Sequence, residues 1–117
     1  MKLDLFATDE HPRTCQAGET IFSTYDMGAE MYVVLDGEVD LTIGDRVVET
    51  LGPGAPFGEM ALIDQAPRTA TATAKTEVQL AVLSEKRFLF LVQQHPEFAL
   101  QIMKVMADRL RKMNARL

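Results

Sequence analysis

Cysteine occurs once in the 117 residues, at position 15, and tryptophan not at all. A lone thiol cannot close an internal disulfide, so the fold must rest on its core, and nothing points to an oxidising compartment. There is no apolar stretch long enough to cross a bilayer, and the start, Met1-Lys-Leu-Asp-Leu-Phe-Ala-Thr-Asp-Glu-His-Pro, lacks an apolar signal core. A cytoplasmic protein without a membrane partner is expected. Basic residues are in deficit: 12 Lys and Arg stand against 17 Asp and Glu, a net charge of −5. That balance disfavours nucleic acid or an anionic membrane as a partner of the bulk surface, while permitting an anion in one local pocket. His11, His95 and Cys15 show no zinc-ligand spacing, and no nucleophile or metal motif accompanies Glu59 and Asp64.

What is present is ordinary globular composition, 47% hydrophobic and 25% charged. Area scaling predicts that about two-thirds of the unfolded surface is buried on folding, enough for one core and one domain over residues 1–117. From Gly18 to Leu83 the punctuation is that of an antiparallel β protein. Ile21-Phe22, Met31–Leu35, Val39–Ile43, Val47-Val48 and Val78–Leu83 are short, rich in β-branched residues and partly alternating. Asp36-Gly37 and Gly44-Asp45 fall where tight turns are needed, and the close spacing of the strands implies a sandwich or barrel. Leu51-Gly-Pro-Gly-Ala-Pro-Phe57, with two prolines and two glycines, reads as irregular. Gly58–Ile63 reads as one or two helical turns, and Thr69–Ala74 as a strand of small residues.

The period becomes helical from Ser84, with a break at His95-Pro96-Glu97, where Pro96 suits a first helical position. Met103, Met106, Leu110, Met113 and Leu117 recur at 3-4-3-4 spacing. Such a stripe serves either a core-facing helix or a dimer seam. The segment from Lys104 onward holds five basic residues and one acid, Asp108, which is most simply a solvated face.

Chemistry concentrates in Phe57-Gly-Glu-Met-Ala-Leu-Ile-Asp-Gln-Ala-Pro-Arg-Thr-Ala-Thr71. An irregular loop leads into a helix start, whose first N–H groups lack intrahelical partners and attract anions. Arg68 adds a planar fork suited to phosphate oxygens. Glu59 would repel an anion unless the ligand also offers hydroxyl donors, so the three parts together suit a sugar phosphate. On the residues alone, a plain Glu59–Arg68 ion pair across a loop is the competing reading.

This segment resembles the phosphate-binding cassette of cyclic nucleotide-binding domains, the family that includes cyclic-nucleotide-dependent kinases, gated channels and catabolite-activator-type regulators. The likeness extends to Ala17-Gly-Glu19, Tyr32-Val-Val-Leu-Asp-Gly-Glu38 and the closing helices, from about Gln16 to Asn114. It implies a mainly β fold, an eight-stranded jelly-roll-like β-roll (a double-stranded β-helix) over about residues 16–83, with flanking α-helices over 84–117. By resemblance Glu59 accepts from the ribose 2′-hydroxyl and Arg68 binds the cyclic phosphate. Backbone N–H groups of Met60, Ala61 and Thr69 complete the cradle, Gly58 allows close approach, and Val48 packs on the purine. Thr69 stands where a hydroxyl can meet the guanine face of cGMP, although hydroxyls there also occur in cAMP binders; cAMP is the favoured ligand and cGMP the alternative. Asn114 is placed to reach a purine edge with Met113 as a lid, although the catabolite activators carry hydroxyl side chains there. No cofactor and no catalysis are implied. The expectation is a sensor domain whose C-terminal helices move on ligand binding and meet an unknown effector protein or a second copy. Beside it stands a ligand-free interaction module acting through those same helices. The helix-turn-helix of the activators has no counterpart in the chain, so nucleic-acid binding does not carry over and the effector is expected on a separate chain or outside this sequence.

Overall fold

A computed structural model describes residues 12–115. His11, Arg116 and Leu117 lie outside the described residues, as do the side chains of Met113 and Ala115. Among the described residues, eight strands and three helices follow in the order β1 Arg13–Cys15, β2 Thr20–Phe22, β3 Glu30–Asp36, β4 Val39–Ile43, β5 Arg46–Leu51, β6 Pro56–Phe57, α1 Met60–Ile63, β7 Thr71–Ala74, β8 Val78–Ser84, α2 Glu85–Gln94 and α3 Glu97–Ala115. The strands form two antiparallel four-stranded sheets, ordered β1-β8-β3-β6 and β2-β7-β4-β5. This is the expected β-roll. The chain separates into two compact units, residues 1–85 and 86–117.

In the first unit, Cys15, Ile21, Tyr32, Val34, Val39, Leu51, Phe57, Ala72, Ala74, Val78 and Leu80 make one buried cluster. Each large side chain sealed there contributes about 1.5–3 kcal/mol relative to exposure. Ala72 and Ala74 alternate with half-buried Thr71 and Thr73, so the small-residue strand turns its methyls inward. The β3–β4 turn places Gly37 at φ +85°, and a side chain there would meet the Glu77 carbonyl oxygen at 2.2 Å. Gly44, between β4 and β5, also has positive φ, as the sequence predicted.

Three boundaries differ from the sequence reading. The Leu51–Phe57 stretch is not wholly irregular: Leu51 closes β5, and Pro56-Phe57 pair with Val33 and Tyr32 as β6. Pro56 is tolerated because β6 is the outermost strand of its sheet, where one side of the ladder needs no donor. Between them the loop is stitched to β3, the Val34 N–H donating to the Ala55 carbonyl and Gly54 N–H to the Val34 carbonyl. The small-residue strand starts at Thr71 rather than Thr69, because Arg68 is bonded elsewhere, as described below. β1 carries only three residues, too few for a periodicity signal.

In the second unit α2 and α3 are joined at His95-Pro96, where His95 N–H closes on the Leu91 carbonyl and the Phe98 N–H on the His95 carbonyl. Phe88 and Phe98 pack with ring centroids 5.6 Å apart. Phe98 and Ile102 are buried, whereas Met103 and Leu110 are 60% and 59% exposed. Of that stripe, Met103 and Leu110 therefore do not belong to the core face of α3 and Met106 is half-buried; the buried face runs through Phe98 and Ile102, one step round the helix.

Candidate functional site

The site is built where three segments meet: the β2–β3 loop, the β6–α1 junction and the segment between α1 and β7 that carries Arg68. Gly58 follows β6 with φ +75°, a conformation that lets the chain turn sharply into α1. α1 is a single turn with Glu59 as its N-cap residue, and Asp64 N–H closes it on the Met60 carbonyl. Gln65 then takes φ +53° and ends the helix ahead of Pro67. Across from this junction, the Arg68 N–H donates to the Asp26 carbonyl and Tyr25 N–H to the Arg68 carbonyl, both at 2.8 Å. The β2–β3 loop thus brackets the Arg68 main chain on both sides.

Glu59 and Arg68 are the buried charged side chains of the described residues, 6% and 7% exposed. Arg68 is directed inward. Its Nη1 donates to the Gly58 carbonyl at 2.8 Å and Nη2 to the Glu30 carbonyl at 2.7 Å. The cation lies over the Phe22 ring, Cζ 4.1 Å from the centroid, within the range of a cation–π contact. Phe22 belongs to a trio with Tyr32 and Phe57, the latter two stacked at 5.2 Å. Burial pushes the Arg68 guanidinium below its usual pKa, opposed by Tyr32, Glu30, Glu59 and Asp26. Arg68 Nε is buried and has no hydrogen-bond partner among the described residues. An unsatisfied buried donor on a charged group is costly, about 1–3 kcal/mol or more. An anion brought to this place would relieve it.

Gly58 and Gly28 make room for this cation. A side chain at Gly58 would stand 2.8 Å from Nη1, and one at Gly28 would stand 2.4 Å from Nη2. The structure therefore brings Gly58, Glu59, Met60, Ala61 and Arg68 to one place, with Ala61 buried, Met60 partly exposed and Thr69 exposed beside Arg68. The Ala61 N–H makes only a long 3.3 Å bond to the Gly58 carbonyl. Val48 lies half-buried on β5, and Asn114 is exposed on the last turn of α3, in the second unit. Sequence reasoning missed Phe22, Gly28 and the Glu30 carbonyl. Phe22 reads only as a strand residue, and a carbonyl leaves no trace in a sequence.

The sequence and this geometry converge with the comparisons. The family model described as cyclic nucleotide-binding domain matches residues 12–95. The chain belongs to that family. A cyclic nucleotide-gated potassium channel of Rhizobium etli is 41% identical over 98 residues, 84% of this chain and 27% of the channel. The Cyclic AMP receptor protein of Thermus thermophilus is 34% identical over 116 residues, 95% of this chain and 54% of that protein. The crystal structure of the Thermus thermophilus Catabolite Activator Protein matches with a TM-score of 0.83 at 33% identity, covering 97% of this chain and 56% of that one. This cyclic nucleotide-binding domain thus spans about half or less of the length of these relatives. Among its described residues no helix is long and apolar enough to cross a membrane.

Proposed function

We propose that this domain binds a cyclic nucleotide, cAMP in preference to cGMP, as a sensor without catalytic activity of its own. The observation that carries the reading is the buried Arg68 guanidinium with its Nε–H unpartnered, beside a buried Glu59. Arg68 takes the negative charge of the cyclic phosphate, and the N–H groups of Met60, Ala61 and Thr69 add donors round it. Glu59 accepts from the ribose 2′-hydroxyl, which turns a carboxylate near an anion from a repulsive element into a selective one. Val48 supplies an apolar surface for the purine and Asn114 a hydrogen bond to its edge, while exposed Thr69 offers the hydroxyl by which cGMP competes. The relative named for cyclic AMP, similar along 95% of this chain, supports the choice of base.

The helices α2 and α3 are the output, carrying the ligand's effect to an effector protein in the cytoplasm. Relatives are named as a potassium channel and a receptor protein, so the domain's output differs among them. The exposed Leu100, Met103 and Leu110 of α3 also favour contact with a second copy or a partner. Titration calorimetry with cAMP, cGMP and 5′-AMP tests the reading. Saturable heat with cAMP, weaker with cGMP and absent with 5′-AMP is expected; silence with all three overturns it and leaves the interaction module.

A further inference from the structure

Two hydrogen bonds anchor the tip of Arg68, Nη1 to the Gly58 carbonyl and Nη2 to the Glu30 carbonyl. Two anchor points fix a line, and roll of the planar group about it is then restrained only by the side chain's own stem, which can turn about its torsions. The third constraint is the ring of Phe22, whose centroid lies 4.1 Å from Cζ. That ring is itself held by neighbours, with centroids 6.1 Å from Tyr32 and 6.0 Å from Phe57. Gly28 completes the slot: a Cβ there would be 2.4 Å from Nη2 and 2.5 Å from both Cζ and Nε. Near-equal distances to three atoms of one planar group place that point above the plane, so the glycine is what lets the β2–β3 loop lie against the cation. Nε is the nitrogen left without a partner among the described residues.

We propose that Phe22 is a positioning residue for Arg68: its ring, with the bare Gly28 backbone, fixes the roll of the guanidinium and keeps Nε–H free for the ligand anion. The inference rests on Arg68 as the anion site. It adds a requirement that charge alone does not impose, because an ammonium has no plane to be set. A lysine at 68 should therefore be indifferent to Phe22.

The test combines NMR of the free protein with calorimetry using cAMP. The Arg68 Nε–H resonance, assigned by its loss in Arg68→Lys, should be shifted upfield by the Phe22 ring and exchange slowly with water. Phe22→Leu should move it toward the ordinary arginine position and speed exchange, while Phe22→Tyr should preserve both. In calorimetry, Phe22→Leu should weaken cAMP about tenfold, the cost of ordering on binding a guanidinium that is no longer held in its plane. It should have no further effect when Arg68 is already lysine. Gly28→Ala, which leaves the ring trio intact, should reproduce the tenfold loss and guards against a Phe22→Leu chain that folds poorly. The proposal is overturned if the resonance ignores Phe22→Leu, or if that change weakens cAMP equally in both backgrounds. A ring-shifted Nε–H in a protein that binds no nucleotide sinks the sensor reading instead, and upholds the positioning of Arg68 by Phe22.

Discussion

Arg68 combines three environments: two backbone carbonyls, an aromatic face and a dry Nε–H. Truncating it to alanine removes the charge partner of the bound anion, and cAMP affinity measured by calorimetry should fall by about 2–5 kcal/mol. Tyr25, on the loop that brackets Arg68, sits at φ +73° with its side chain 83% exposed. A left-handed conformation costs a side-chain-bearing residue about 1–2 kcal/mol, and this ring buries little in return. Tyr25→Gly should raise the urea midpoint by up to about 1 kcal/mol of stability, reduced from the full strain by glycine's freer unfolded chain. Cys15 gives a pH signature. Burial raises its thiol above the ordinary value near 9.0, so the folded state retains a proton that the unfolded state releases first. The associated stability is present below pH 9.0 and is lost as pH rises past it. Urea melts between pH 8 and 11 should therefore fall less steeply for Cys15→Val than for the parent.

At the scale of the element, the β3–β4 hairpin is the sharpest case. Gly37 is in the left-handed region and has a carbonyl where a side chain would go, so Gly37→Ala meets both strain and a collision with backbone. A loss of about 2 kcal/mol or more in chemical denaturation is expected, against less than about 1 for the open Gly44→Ala. The position of this turn was legible in the sequence because Asp-Gly between β-branched runs is a strong local signal. The collision with Glu77 was not, since that residue is forty positions away. The same divide explains the rest. Strands of five to seven residues with alternating or continuous apolar character, β3, β4 and β8, declared themselves; β1 and β6, with three and two residues, did not. α2 and α3 were readable from the period change at Ser84 and the Pro96 break, but not which face of α3 is buried. A stripe at heptad spacing and a stripe one position away have nearly equal apolar content, and packing chose Phe98 and Ile102.

For the whole molecule, the proposed switch predicts that nucleotide changes the second unit as well as the first. Trypsin cleavage after Arg109 and Arg111 should slow at saturating cAMP and remain unchanged with 5′-AMP. Equal cleavage with and without cAMP, in a protein shown to bind it, would remove the helices from the response. At this scale the candidate site was legible as a contiguous motif, Gly58 to Thr69, together with the resemblance it carries. The side that faces Arg68 from β2 and the β2–β3 loop was hidden, because tertiary folding alone brings residues 22–30 to residue 68. One more property follows from the way the first sheet ends. Its two rims are β1, three residues long, and β6, two residues of which one is proline. The second sheet ends on β2, three residues long, and on β5, which carries Arg46 and Glu49. Short, proline-bearing or charged borders are poor templates for another chain to add a strand, so copies crowded together should stay dispersed rather than zip into fibrils.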